Sequence, residues 1–217
     1  MKVNTKFKVC CIASIAEAEQ AIATGAWAIG LVGQMPSGPG PVSDPTIREI
    51  ADATHDRVHR FLLTSRTGPV EVVEHVQFCG TDIVQLVDAV PVETYQLLRQ
   101  SCPQVQIVQV VHVQDETALA QARHAAKYCD MVLLDSGQPD GLLRTLGGTG
   151  KTHNWDISKQ IVEALDKPVL LAGGLSPENI SMACAHVGPF AVDLCTGIRD
   201  KQYRLDPQRL AQFAAKL

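Results

Sequence analysis

The run Lys8-Val9-Cys10-Cys11-Ile12 puts a cation and two thiols into a segment otherwise apolar enough to be a buried strand. A thiol becomes a base or a nucleophile once its surroundings favour the thiolate. Side chains alternate along a strand, so Lys8, Cys10 and Ile12 are expected on one side and Val9 and Cys11 on the other. Lys8 costs least on a polar interior face, which makes Cys10 rather than Cys11 the thiol that can work. The plain alternative is two buried, apolar-like cysteines. A second reactive group, Asp135, ends the run Met131-Val132-Leu133-Leu134, where a loop begins; its plain alternative is a turn former or cap. Two further apolar runs end in Gly173-Gly174 and Thr196-Gly197. Glycine lets backbone N–H groups approach an anion with no Cβ in the way, so these four residues are candidates for holding a phosphate, against the reading of mere tight turns.

Such groups converge only if the elements carrying them do. Short β-branched runs alternate with segments of helical periodicity from one end of the chain to the other. The strands are expected at Phe7 to Ile12, Ala28 to Val32, Val58 to Leu63, Ile83 to Leu86, Gln106 to Val111, Met131 to Leu134, Val169 to Ala172 and Ala191 to Cys195. The helices are expected at Ile15 to Thr24, Pro45 to Ala53, Val70 to Phe78, Val92 to Gln100, Glu116 to Ala126, Ile157 to Leu165, Pro177 to His186 and Pro207 to Ala215. Ser14, Ser43 or Asp44, and Ser176 read as N-caps, and Thr24-Gly25 as a helix end. Eight βα units in 217 residues, with no linker or shift in composition, predict an α/β chain folded as one (β/α)8 TIM barrel over residues 1–217. The chemistry of such a barrel lies at the C-terminal ends of its strands, and phosphate commonly sits on the loops after strands seven and eight.

The composition is that of a globular protein, 46% hydrophobic and 19% charged. A net charge of −4 without blocks of like charge points away from nucleic acid and anionic membranes, towards a small ligand. The seven cysteines are odd in number and irregularly spaced, with no Cys-x-x-Cys, which fits a reducing, cytoplasmic setting better than a disulfide framework. No apolar run approaches the roughly 20 residues of a membrane span, and Met-Lys-Val-Asn-Thr-Lys leads into a strand rather than a signal peptide. The stretch from Ser136 to Trp155 is too long for a simple βα connection and reads as a lid. Within it, Gly147-Gly148-Thr149-Gly150-Lys151-Thr152 imitates a nucleotide-binding phosphate loop, but Thr145 stands where the first glycine belongs. His112 and His153 lie near strand ends without forming a pair at metal-ligand spacing, so no metal is expected.

Together, Lys8-Val9-Cys10-Cys11-Ile12, Val84-Gln85-Leu86, Leu133-Leu134-Asp135, the Gly147 to Thr152 run, Leu171-Ala172-Gly173-Gly174-Leu175-Ser176-Pro177-Glu178-Asn179 and Val192-Asp193-Leu194-Cys195-Thr196-Gly197 resemble the phosphoribosylanthranilate isomerases of tryptophan biosynthesis, in the family's order and over nearly the whole chain. The resemblance implies an aldose-to-ketose Amadori rearrangement of a phosphoribosylamine by general acid–base catalysis, with no metal or cofactor. It implies Asp135 as the acid that protonates the ring oxygen and Cys10 as the base at C2. Lys8, Gln85, Arg144 and Asp193 are the further candidate substrate contacts.

The match has gaps. Cys11 stands where the family has glycine, and Ala13 replaces threonine. Gly40 falls where the family's arginine pairs with the anthranilate carboxylate, and Val87-Asp88 follows Gln85-Leu86 where the family has a histidine. A charge-assisted contact of that kind is worth about 1.5 to 3 kcal/mol. Arg144 is a candidate replacement. Four readings follow: phosphoribosylanthranilate isomerase, an isomerase of another phosphoribosylamine, a barrel that binds a phosphorylated metabolite without turnover, and a metal-dependent phosphosugar epimerase, against which stands the lack of a His pair or His/carboxylate set at ligand spacing. The sequence carries no signal for an oligomeric state.

Overall fold

The computed structural model describes residues 5–137 and 154–217. Eight parallel strands close into a barrel in sequence order: β1 (Lys6–Val9), β2 (Ala28–Val32), β3 (His59–Thr64), β4 (Ile83–Leu86), β5 (Gln106–His112), β6 (Met131–Asp135), β7 (Val169–Leu171) and β8 (Ala191–Leu194). The helices that follow them are α1 (Ile15–Ala23), α2 (Asp44–Ala53), α3 (Pro69–Cys79), α4 (Val92–Ser101), α5 (Thr117–Ala125), α6 (Trp155–Ala164), α7 (Ile180–Val187) and α8 (Pro207–Ala214). The strands are buried on both faces, which is why they read as continuous apolar runs.

Period-two geometry sorts each strand. Val9, Leu31, Leu62, Val84, Val132, Leu171 and Val192 belong to the layer between sheet and helices. Phe61, Leu63, Ile83, Val108, Leu133, Leu170 and Ala191 fill the barrel interior. The same parity carries Lys8, Gln85, Asp135 and Asp193 inward.

Local chemistry fixes most boundaries. Ser14 Oγ accepts from Glu17 N, and Ser43 rather than Asp44 is the cap of α2, accepting from Thr46 N at 3.2 Å. The expected start of α7 at Pro177 is corrected to Ile180. Ser176 Oγ accepts from Glu178 N and Asn179 Oδ1 accepts from Ser176 N, which spends these residues on a turn ahead of the helix. The first strand also ends early, at Val9 rather than Ile12.

Candidate active site

A cavity opens at the C-terminal ends of the strands, lined by Cys10, Cys11, Gln85, Asp135, Asp193 and Cys195 together with Gly173, Gly174, Thr196 and Gly197. Nine of the sequence-predicted site residues thus meet at one place or directly beneath it. Lys8 lies below the floor, fully buried, its Nζ donating to Gln85 Oε1 at 2.7 Å and to Asp193 Oδ2 at 2.8 Å. Arg144, the Gly147 to Thr152 run and His153 fall outside the described residues.

The expectation that only one of the two thiols reaches the cavity is overturned: both Cys10 and Cys11 line it. β1 stops at Val9, and Cys11 takes φ +62°, a left-handed conformation that side chains rarely adopt. Alternation therefore fails at that turn, and Ile12 goes to the outer layer with Val9. The turn is held from far along the chain. Arg199 Nη2 donates to the carbonyls of Cys10 and Cys11 at 2.8 and 2.6 Å, and its Nη1 donates to Tyr203 O at 3.0 Å.

Cys11 and Gly40 share one space. A Cβ on Gly40 would stand 2.6 Å from Cys11 Cβ, and Gly40 has φ +78°. The two departures from the family pattern are thus physically linked: with a side chain at position 11, position 40 has room for none.

The thiols form a cluster. Cys11 Sγ lies 2.9 Å from Cys195 Sγ and 3.5 Å from Pro39 O, and Cys195 Sγ lies 2.9 Å from Tyr203 Oη. Hydrogen bonds from Cys10 and Cys11, with a further one from Tyr203, hold the Cys195 thiol well below the usual thiol range although burial opposes them. The bond to Cys10, then Cys195 and burial, drive Cys11 well above it. Cys10 gains from its bond to Cys11, but Cys195 and burial outweigh that and leave it raised.

Asp135, 8% exposed, accepts from Ser136 N at 2.7 Å. Burial raises its carboxyl above the ordinary range against the pull of that N–H and of His112, and Asp193 and Cys10 add to the rise. Burial likewise pushes Asp193 up to about 7 despite Lys8, and its Oδ1 is buried without a partner among the described residues.

On the opposite wall, Gly173 and Gly174 take φ +82° and +62°, and Asn179 Nδ2 braces the turn by donating to Gly174 O at 2.9 Å. Gly197 packs so tightly on Leu175 O that a side chain there would collide with the backbone. This contact joins the loops after β7 and β8. Among the described residues, the N–H groups of Gly173, Gly174 and Gly197 donate to no group of the protein.

The description "N-(5'phosphoribosyl)anthranilate (PRA) isomerase" belongs to the family whose profile matches residues 7–214. The chain belongs to this family. It is 34% identical over 216 residues to the N-(5'-phosphoribosyl)anthranilate isomerase of Haloferax volcanii, covering 97% of this chain and 92% of that one. Identity to the Halobacterium salinarum enzyme is 32%, over 98% and 95% of the two chains. The phosphoribosyl anthranilate isomerase structure from Thermotoga maritima superposes with a TM-score of 0.82 at 25% identity, and that from Thermus thermophilus with 0.82 at 23%, each pair covered to 98% on both sides. The chain is accordingly an isomerase with the family's barrel.

Sequence reasoning did not single out Ser37, Cys195, Arg199 or Tyr203 as residues at the site. The histidine it noted, His112, puts Nε2 on Val87 O at 3.2 Å. Among the described residues, the candidate metal-ligand group is elsewhere, at Asp44, His75 and Cys79, where Arg66 and His75 already engage Asp44. No helix among the described residues is long and apolar enough to cross a membrane.

Proposed function

We propose that the chain converts N-(5'-phosphoribosyl)anthranilate to the 1-amino-1-deoxyribulose phosphate of tryptophan biosynthesis. The observation that carries the reading is the meeting of Cys10 and Asp135 in one cavity with an N–H-rich wall. Asp135, whose carboxyl burial raises above the ordinary range, gives its proton to the ribose ring oxygen as the C1–O bond breaks and the amine nitrogen forms the iminium. Cys10 then takes the proton from C2, and the electron pair moves to form the enolamine, which tautomerises to the ketone. The N–H groups of Gly173, Gly174, Thr196 and Gly197 hold the phosphate, and Asp193 Oδ1 accepts from a sugar hydroxyl. A phosphoribosyl anthranilate isomerase, 22% identical with a TM-score of 0.79, has been crystallised with reduced 1-(o-carboxyphenylamino)-1-deoxyribulose 5-phosphate, which supports a small phosphorylated ligand for this cavity. Seven free cysteines fit a cytoplasmic setting.

The acceptor half of the cavity is walled by Val32, Met35, Leu63 and Val87, and no Lys or Arg lines it among the described residues. This favours, as a second reading, an uncharged amine in place of anthranilate. One neutral donor is available to a carboxylate there: Ser37 Oγ is buried at the cavity wall without a partner among the described residues. The test is turnover of N-(5'-phosphoribosyl)anthranilate beside its decarboxylated analogue, N-(5'-phosphoribosyl)aniline, by wild type and Ser37→Ala. The anthranilate reading expects wild type to prefer the carboxylated substrate, and Ser37→Ala to raise KM for it alone, by about tenfold. Preference for the aniline derivative establishes the second reading, and turnover of neither by a folded protein defeats both.

A further inference from the structure

Beside Cys10 the cavity carries two more thiols, on loops that both serve the site. Cys11 follows Cys10 at the end of β1, and Cys195 precedes Thr196 and Gly197 at the end of β8. Their sulfurs are 2.9 Å apart, against about 2.05 Å in a disulfide, so a small closure of the two loops suffices to join them. We propose that Cys11 and Cys195 form an oxidative modification site, which a hydroperoxide converts to a disulfide that takes the active site out of use.

The two partners differ in the way such chemistry requires. Cys195 is half-buried on the cavity wall with its Sγ 2.9 Å from Tyr203 Oη, a neighbour that can donate to its thiolate, and its thiol is held low while that of Cys11 is raised. Attack of the Cys195 sulfur on the peroxide breaks the O–O bond, leaving a sulfenic acid on Cys195 and releasing hydroxide, which takes up a proton. Cys11 Sγ then attacks the sulfenic sulfur, losing its proton as the S–O bond breaks and a second water leaves. Two thiols are oxidised by two electrons and one peroxide is reduced to two waters. Both residues line the cavity at the mouth of the barrel, and a small oxidant enters by the route a substrate takes.

The consequence for turnover follows from position. The bond draws together the turn that carries Cys10 and the loop that carries Thr196 and Gly197. The Cys11 turn already has a left-handed φ of +62° and is gripped by Arg199, so the shift passes to the neighbouring Cys10 rather than into slack chain. Reduction by a dithiol reverses the bond.

The experiment treats the reduced protein with hydrogen peroxide and reads three quantities: intact mass, a peptide map without reductant, and turnover before and after dithiothreitol. The expected result is a loss of about 2 Da, a Cys11–Cys195 cross-linked peptide, and at least about a tenfold, dithiothreitol-reversible fall in turnover. Cys11→Ser should instead accumulate a sulfenic acid on Cys195, trapped by dimedone, and Cys195→Ser should form neither product. Each variant is scored against its own reduced activity, and if Cys195→Ser fails to fold, Cys11→Ser decides alone. Oxidation mapping to other cysteines, or a cross-link that leaves turnover unchanged, overturns the proposal. The switching half rests on the isomerase reading; a reduced wild type that does not turn over any phosphoribosylamine counts against that reading, and the cross-link map then decides the proposal.

Discussion

Proton transfer at two points of one sugar asks for an acid that still holds its proton near neutrality and a base aimed at a different carbon. In the proposed mechanism Asp135, its carboxyl raised by burial at the end of β6, is the acid, and Cys10 at the end of β1 is the base. Asp135→Asn and Cys10→Ser are each expected to lower kcat by about a hundredfold or more while leaving KM within about threefold, because the phosphate anchor is on other strands. Steady-state kinetics on both variants checks this, and a KM effect equal to the kcat effect would reassign them to binding. That both residues meet at the cavity was legible in the sequence, because each stands at the end of an apolar run that the barrel turns into a strand. Cys195, Tyr203 and Arg199 were not. Arg199 reaches Cys10 across 189 positions of chain, and no local pattern encodes such a contact.

At the scale of elements, the strands and most helices were legible because period-two burial and N-caps are local signals. The end of β1 was not, because a left-handed residue at Cys11 breaks alternation without the glycine that usually announces it. A buried side-chain joint ties α3 to the end of β3 and the start of α2. His75 of α3 is 2% exposed, with Nδ1 at 3.0 Å from Thr64 Oγ1 at the end of β3 and Nε2 at 3.1 Å from Asp44 Oδ1 at the start of α2. Burial lowers its pKa; Asp44 opposes the shift and Arg66 adds to it. The fold therefore holds His75 neutral, whereas the unfolded chain takes a proton near pH 6.5. A folded value below the unfolded one means that this stabilisation is fully present above about pH 6.5 and is lost as pH falls through the folded value. Urea denaturation at about pH 7 and about pH 5 should show a steeper acid loss for wild type than for His75→Gln. Equal slopes would mean that His75 does not titrate on unfolding.

For the whole molecule, closure of the barrel and chemistry at its mouth meet in Lys8. Its ammonium lies inside the barrel, bonded to β4 through Gln85 and to β8 through Asp193, with the Phe61 ring centroid 4.8 Å away. Burial alone would lower its pKa, but Asp193 and the thiols above raise it, so Lys8 stays charged and holds the first strand to the last. Lys8→Met keeps the volume and strands the Asp193 carboxylate, and breaking one side of a buried pair costs about 3 to 5 kcal/mol. The loss should depend on pH in a defined direction. Asp193 titrates at about 7 in the fold, above the ordinary carboxyl value near 3.9, so its protonated form is favoured there and stability falls as pH rises through that window. Removing the cation raises the folded value further, so Lys8→Met should be hurt more at about pH 8 than at about pH 5 by urea denaturation. Lys8→Met with Asp193→Leu removes both charges and should recover most of the stability at either pH, as apolar replacements of buried pairs do. Turnover should not return with it, because Asp193 lines the cavity and Oδ1 is the group left for the sugar. A double variant as active as wild type would show that the pair serves only to close the barrel.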